Sequence, residues 1–316
     1  MLTLMAACSE PAPEADLLVF NGNIYLVDEA FSQAEAFAVN DGRIIAIGTY
    51  DQLLDQYRYK RQYDAGGNTI VPGLIDGHAH LYNLGMSMQQ VDLVGTTSYQ
   101  EVLERVAAFQ DEKQLPFIEG RGWDQNDWPV KEFPTKEMLD SLFPDIPVAL
   151  RRIDGHALWV NSKALEMAGI TSQTRMEGGE VVLKDGEPSG ILVDSPMQLI
   201  AAIVPPPSRE LQIRALQEAE ARCMDLGLTT VNDAGLSRSV IELIDSLQQA
   251  GEMKLRVYAM VSNTPENLDH FLDNTGKIKT DRLNVRSVRY TGMEPWAPAA
   301  PHCVHPIRIR PVILVP

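Results

Sequence analysis

Two histidines spaced two residues apart are the most chemically informative feature of this sequence. Residues 69–80 read Thr-Ile-Val-Pro-Gly-Leu-Ile-Asp-Gly-His-Ala-His, so an apolar run that predicts a buried strand ends in His78 and His80. Side chains two apart on a strand point the same way, so both imidazoles can reach one divalent metal ion, with zinc the expected metal. The alternative is a pair of surface histidines at a strand end. Two of the six histidines fall within three residues, yet the spacing alone leaves both interpretations open.

Further polar and aromatic residues follow predicted strands and are candidates for a substrate pocket. Trp123 and Asp124 either line the pocket or anchor an insertion. His156 follows a strand within Asp-Gly-His, where a lone histidine is more often packed and hydrogen-bonded than functional. Asp233 ends a strand that begins at Leu228, and it either faces the pocket or caps the following helix.

These candidate residues lie close together only if the strands that carry them end at the same edge of a sheet. The pattern of strands and helices beyond Pro72 indicates such a scaffold. Apolar, β-branched runs at 147–150, 228–231 and 255–261 alternate with helical patterns, which favours a parallel α/β architecture. Helices are predicted to start after Ser98, Ser208 and Thr264, and Asn161 is predicted to cap the helix 162–168. Residues 178–186 predict an inserted hairpin.

The segment 16–71 has a different pattern and predicts a small antiparallel β domain. Four short apolar runs are separated by turn residues, among them Asn21-Gly22 and Asp41-Gly42, which are strong hairpin signals. We expect an exposed apolar sheet edge in this segment.

Composition narrows the class of protein. A chain of 316 residues with 45% hydrophobic and 22% charged residues is ordinary for a globular protein with one sizeable core. The formal net charge of −16, with no basic cluster, argues against a nucleic-acid partner. Three widely spaced cysteines exclude a disulfide framework, and Cys223 is expected to be a small buried side chain within a helix.

Several segments together resemble the amidohydrolase superfamily. Residues 71–80 resemble its first-strand signature of proline, glycine, an apolar residue, aspartate and His-x-His. Three further segments resemble the branch called amidohydrolase family 3, which includes N-substituted formamide deformylase-like proteins. They are Gly-Trp-Asp-Gln at 122–125, Arg-Ile-Asp-Gly-His-Ala-Leu-Trp-Val-Asn-Ser-Lys-Ala-Leu at 152–165 and Gly-Leu-Thr-Thr-Val-Asn-Asp-Ala-Gly at 227–235. The resemblance extends from about residue 16 to about residue 289.

The resemblance implies a fold and an activity. The fold is α/β, with a TIM-type (β/α) barrel at 72–290 that is incomplete and has about four of the eight strands. Half of a composite β-sandwich precedes it at 16–71. The activity is metal-dependent hydrolysis of a small-molecule amide, such as an N-acyl or N-formyl compound. The resemblance implies that His78 and His80 bind the metal and that His156 lies at the substrate pocket. The further ligands and general base of this superfamily come from later strands and are not found in this chain.

The first fifteen residues resemble the end of a bacterial lipoprotein signal. Leu-Met-Ala-Ala precedes Cys8, and a Ser-Glu-Pro-Ala-Pro-Glu stretch then reads as a tether. Lipidation of Cys8 would attach the protein to a membrane on the periplasmic side, which incorporation of labelled fatty acid would test. If the match is fortuitous, the protein is cytoplasmic.

Residues 291–316 depart from the pattern before them. Repeated prolines, as in Trp-Ala-Pro-Ala-Ala-Pro at 296–301, predict neither helix nor strand, so a disordered tail is expected. Residues 292–302 can be encoded so that another frame reads Asp-Gly-Ala-Leu-Gly-Ser, the motif that the resemblance implies next. Met293-Glu294 and Trp296-Ala297 force both glycines whatever codons are used. We therefore expect a shifted reading frame after Arg289.

Three functions stay open on the sequence alone. The first is an active metal hydrolase, and the second is an incomplete barrel without activity, unstable because a sheet edge and apolar helix faces are exposed. The third is a periplasmic binding protein, which explains the segment before Cys8 but leaves the His-x-His segment unexplained.

Overall fold

A computed structural model describes residues 12–274 and 276–290. Cys8 and the segment 291–316 lie outside the described residues, so the expectations of lipidation and of a shifted frame stay predictions. None of the described helices is both long enough and apolar enough to span a membrane.

All of the described strands lie in sheets of three to six members. In chain order they are β1 (Glu14–Phe20), β2 (Asn23–Tyr25), β3 (Gln33–Ala34), β4 (Ala36–Asn40), β5 (Arg43–Gly48), β6 (Arg58–Asp64), β7 (Thr69–Ile70), β8 (Leu74–Ala79), β9 (Val91–Asp92), β10 (Ile118–Trp123), β11 (Val148–Arg152), β12 (Ala157–Val160), β13 (Gly179–Lys184), β14 (Glu187–Asp194), β15 (Leu228–Leu236), β16 (Arg256–Ser262), β17 (Ile278–Lys279) and β18 (Leu283–Arg289).

The helices alternate with these strands. In chain order they are α1 (Tyr50–Gln56), α2 (Leu81–Ser87), α3 (Tyr99–Lys113), α4 (Lys136–Asp140), α5 (Ser162–Met167), α6 (Met197–Ala201), α7 (Arg209–Asp225), α8 (Arg238–Gln249) and α9 (Pro265–Leu268), with a 3-10 helix at Gln125–Asp127 and a π-helical turn at Asp269–Asn274. The predicted caps are confirmed at Ser98, Asn161, Ser208 and Thr264, each of which accepts a hydrogen bond from a backbone N–H of the first turn.

The described residues fall into two compact units. The first unit contains the described residues of Met1–Ala79, Cys223–Arg238 and Leu255–Pro316. The second unit contains the described residues of His80–Arg222 and Ser239–Lys254. The first division point lies after Ala79, and the domain bounds expected from the sequence, 16–71 and 72–290, stay predictions.

In the first unit, the segment 14–70 forms two sheets. The larger has the order β5-β4-β1-β6 and the smaller has the order β3-β2-β7. Leu17, Val19 and Phe37 of the larger sheet share one core with Ile24 and Ile70 of the smaller. The segment thus contains two packed layers, where we expected an antiparallel unit without its partner strands.

Two local expectations for this segment are corrected by its topology. Strand β6 runs parallel to β1, because α1 carries the chain back after the hairpin of β4 and β5. Asn21 has the positive φ of 55° that its turn requires, yet β1 and β2 lie in different sheets, so Asn21-Gly22 does not form a hairpin. Strand β5 lies at the edge of the larger sheet, and the side chains of Ile45 and Ile47 on it are exposed. The lack of partner strands at this edge stays a prediction.

The first unit also holds a five-stranded sheet of order β17-β18-β16-β15-β8. Strands β8, β15, β16 and β18 are mutually parallel, as the α/β expectation requires. Strand β8 lies at the edge of this sheet, and Leu74 and Ile75 are exposed. The expectation that β8 is buried is therefore wrong, because it has a hydrogen-bonded strand on one side only.

The second unit is built on a six-stranded sheet of order β13-β14-β12-β11-β10-β9. Strands β9, β10 and β11 are parallel, while β11, β12, β14 and β13 pair antiparallel. The predicted hairpin is β13–β14, and its β14 joins the sheet through β12. One apolar core packs on each face of this sheet.

The two large sheets contain more parallel strands than the sequence indicated. Strands β9, β10 and β18 were not predicted, because β9 is only two residues long and β10 and β18 are interrupted by charged residues. Within the described residues neither sheet closes on itself. The observed class is mixed α/β, and no barrel is formed there.

Candidate functional site

The two histidines of the predicted metal site lie on either side of the end of β8. His78 is within the strand and exposed, and its backbone N–H donates to the Asp76 carboxylate at 2.9 Å. His80 is half-buried and immediately precedes α2, with φ −134° and ψ 70°. The argument that both imidazoles point the same way requires both residues to be in the strand. His78 is in β8, but the strand ends at Ala79. The sharing of one ion by both imidazoles stays a prediction.

The described residues do not complete a metal centre. Among residues 12–274 and 276–290, no three or more His, Cys, Asp or Glu side chains are grouped so that they could hold an ion. A hydrolytic zinc ion takes about three protein ligands. The His-x-His pair therefore does not amount to a full catalytic site by itself.

Asp233 lies beside this strand end. It is buried within β15, and its register partner on β8 is Ala79, next to His78. The interpretation of Asp233 as a helix cap is wrong, because β15 continues to Leu236 and α8 begins only at Arg238. A buried carboxylate thus lies on the strand adjacent to the first histidine.

In the second unit, His156 follows β11 in a tightly bonded turn. Its backbone N–H donates to Asp154 Oδ1 at 3.0 Å, and the Arg152 guanidinium binds the same carboxylate through Nε at 3.0 Å and Nη2 at 2.7 Å. Gly155 between them has φ +84°, a conformation that favours glycine. The Asp-Gly-His sequence therefore builds the turn that presents the imidazole.

The imidazole of His156 is paired with a carboxylate. Its Nδ1 lies 2.7 Å from Asp194 Oδ1, and the backbone N–H of Asp194 donates to the His156 carbonyl at 3.1 Å. The His156 side chain is 69% exposed, so its other ring nitrogen is accessible. The hydrogen bond and charge of Asp194 raise the pKa of His156 above its ordinary value. A carboxylate–imidazole pair of this kind can orient the ring and hold or release a proton near neutral pH.

Asp194→Asn is expected to lower the pKa of His156 towards its ordinary value. The asparagine tolerates the left-handed backbone at this position, φ 54°, but supplies no negative charge. Because Asp194 raises the folded-state pKa, its stabilisation is complete at pH values below the unfolded-state pKa and is lost as pH rises through the folded-state pKa. NMR titration of the His156 ring protons measures the shift, and an unchanged pKa in the variant would refute the pairing.

Trp123 and Asp124 have structural contacts. Trp123 is fully buried, donates from Nε1 to the Leu150 carbonyl at 2.7 Å and packs against Trp128 and Trp159. The Asp124 carboxylate accepts from the backbone and side-chain amides of Asn126 at 2.9 and 2.8 Å, which caps the 3-10 helix. These contacts favour the alternative in which Trp123 and Asp124 anchor the local structure over the one in which they line a pocket.

Asn161 is confirmed as a cap and does more than cap. Its Oδ1 accepts from the backbone N–H of Ala164 and of Val148, each at 3.0 Å. Its Nδ2 donates to the carbonyls of Phe143 and Ile146, each at 2.8 Å. This fully buried amide joins α5, β11 and the loop between α4 and β11.

The sequence reasoning missed Asp194. It lies 38 positions from His156, and the two meet because β12 and β14 pair antiparallel with Ala157 opposite Val193. The only local signal is a polar residue at the end of an apolar strand, which is common in any sheet.

Comparison with known proteins assigns the chain to a family. A sequence profile of the amidohydrolase family matches residues 61–294. The putative amidohydrolase YtcJ of Bacillus subtilis (strain 168) is 39% identical over 223 residues, which make up 68% of this chain and 42% of that protein. The N-substituted formamide deformylase of Arthrobacter pascens is 30% identical over 285 residues, or 85% of this chain and 51% of that protein.

A solved structure supports the same assignment. An uncharacterized metal-dependent hydrolase from Pyrococcus furiosus superposes with a TM-score of 0.65 at 25% identity, covering 86% of this chain and 55% of that one. The chain thus spans about half the length of these relatives. With the profile matching most of the chain and the His-x-His segment inside the match, the chain belongs to the amidohydrolase family.

Proposed function

We propose that this protein is a metal-dependent hydrolase that cleaves carbon–nitrogen bonds other than peptide bonds, in small N-acyl or N-formyl amides. The observation that carries the proposal is the Asp-Gly-His-Ala-His segment at the carboxyl end of β8, inside the region matched by the family. The formyl preference is motivated by the name of one relative, N-substituted formamide deformylase.

The proposed architecture of the complete protein is a TIM-type (β/α) barrel with a composite β-sandwich. Four mutually parallel strands in the first unit and three in the second support it. Enzymes with this barrel place their active sites at the carboxyl ends of the strands. His78 lies at that end of β8, and Asp233 on the neighbouring β15 is the register partner of Ala79.

Within this proposal His78 and His80 are ligands of a divalent metal ion, with zinc the expected species. We propose that the other ligands and the general base lie outside the described residues, which do not group three metal-binding side chains together. His156, held by Asp194, is proposed to donate a hydrogen bond to the substrate, and Asp233 is proposed to face the pocket. Trp123 and Asp124 are assigned to the scaffold.

Metal titration tests the proposed ligands. Competition between the chain and a chromophoric chelator for Zn²⁺ is expected to show weak binding, because two imidazoles leave the ion under-coordinated. His78→Ala and His80→Ala should each weaken that binding by at least about tenfold, since each removes one of two ligands. His270→Ala, which removes a histidine outside the His-x-His segment, is the matched control. Equal zinc affinity in wild type and both variants would overturn the assignment.

The second candidate function is a catalytically inactive fragment that retains the fold of its family. The described residues favour it in one respect, since they contain no complete group of metal ligands. The two candidate functions differ in turnover, which the release of formate or carboxylate from an amide substrate measures.

A further inference from the structure

The second unit contains a cleft with a basic floor. A cavity of about 410 Å³ opens on the face of the six-stranded sheet that carries Glu119, Arg121 and Arg151. Its walls include the apolar side chains of Leu158 and Met197, both buried. The cleft thus combines cationic groups with a hydrocarbon surface.

Strand pairing places the two arginines side by side. In the parallel pair β10–β11, Arg121 is the register partner of Arg151, and Glu119 is the partner of Ala149. Residues two apart on a strand share a face, and neighbouring strands lie about 4.8 Å apart. The two guanidinium groups therefore rise from adjacent points of one face into one cavity.

Neither guanidinium forms an ion pair with a carboxylate among the described residues. Their contacts are to the carbonyls of Ile153 at 3.4 Å and Gly155 at 3.3 Å. The next residue, Arg152, is held by both oxygens of Asp154. In a chain of net charge −16, two such arginines facing one cavity indicate an anionic ligand.

Glu119 limits the charge that the ligand can carry. It lies on the same face two residues before Arg121, so the three side chains that line the cleft together carry a net charge of about +1 when all are ionised. Asp92, the register partner of Arg121 on β9, is exposed and does not line the cleft. Burial raises the pKa of its carboxyl, while the positive charge of Arg151 opposes that shift. A monoanion is therefore matched better than a phosphate dianion, which Glu119 would repel.

We propose that this cleft binds the carboxylate of a small organic acid. Arg121 and Arg151 bind the carboxylate oxygens, since a planar guanidinium donates in the fork geometry that a carboxylate accepts. The hydrocarbon part of the acid packs against Leu158 and Met197. This site lies within the second unit and does not depend on the proposed metal ligands.

Calorimetric titration with hexanoate, with hexanamide as the isosteric neutral probe, tests the site on the chain as it stands. Hexanoate is expected to bind at least about tenfold more tightly than hexanamide, because only the anion forms charge-assisted bonds. Arg121→Gln and Arg151→Gln should each weaken hexanoate binding by about tenfold, the loss expected for one charge-assisted hydrogen bond. Arg105→Gln is the matched control, because Arg105 is paired with Glu101 on α3 and does not line the cleft.

Glu119→Gln gives an outcome that misfolding cannot imitate. Removing the like charge is expected to tighten hexanoate binding severalfold, by about three to ten times, at neutral pH. Equal binding of hexanoate and hexanamide, unchanged affinity in both arginine variants, or weaker binding in Glu119→Gln would each overturn the proposal. So would a preference of the wild-type chain for inorganic phosphate over hexanoate.

Discussion

A protein in which the codons after Arg289 are read in the alternative frame is expected to bind zinc stoichiometrically and to hydrolyse N-formyl or N-acyl amides. The chain as written is expected to show a turnover lower by at least about a thousandfold, because its described residues do not group three metal-binding side chains around an ion. Among the described residues the ligand candidates are His78 and His80, and no group of three forms. Zinc content per chain and release of formate or carboxylate measure the two effects.

His78→Ala in the frame-restored protein is the matched control for this experiment. It is expected to lose both metal and turnover, which separates the effect of the ligands from that of the added length. Equal turnover from the restored chain and the chain as written would contradict both the shifted frame and the proposal that the remaining ligands lie outside the described residues. Failure of the hexanoate titration would leave this result untouched, because the cleft uses none of these residues.

Replacing Asn161 by alanine is expected to cost at least about 3 kcal/mol of unfolding free energy. The amide makes four hydrogen bonds at 2.8–3.0 Å, and each buried backbone group left without a partner costs about 1–3 kcal/mol. The side chain is completely buried, so water does not replace these bonds without rearrangement. Urea denaturation followed by circular dichroism gives the change in unfolding free energy.

Ser98→Ala is the matched control for Asn161→Ala. Ser98 caps α3 with a single hydrogen bond to the Glu101 N–H at 3.2 Å, and its loss should cost about 1 kcal/mol. A cost for Asn161→Ala no greater than that of Ser98→Ala would show that the buried bonds do not tie the loop, β11 and α5 together.

Local chemistry explains which elements were predicted correctly. Asp41-Gly42 and Asp185-Gly186 both adopt positive φ angles, and each closes a hairpin between strands that are adjacent along the chain. Asn161 and Ser208 cap helices because their side chains reach backbone groups three residues away. Such features depend on a few consecutive residues, so a sequence contains the information that they need.

Asn21-Gly22 shows where this reasoning stops. Asn21 adopts the expected left-handed backbone, but the following strand pairs with β3 and β7 rather than with β1. A turn signal specifies a backbone conformation and not the strand that the chain meets afterwards. The same limit applies to Asp233. Only the observed length of β15 excludes the interpretation of Asp233 as the cap of the following helix.

The sequence by itself determined the family, the His-x-His segment at the end of β8, the α/β class and most of the local turns and caps. The tertiary structure decided which distant side chains meet, bringing Asp194 to His156 and Arg121 beside Arg151. It also decided that Trp123 belongs to the core. The physical reason is that hydrogen-bonding and φ/ψ preferences act over a few residues. Strand order, register and burial depend on apolar surfaces packing across the whole sheet.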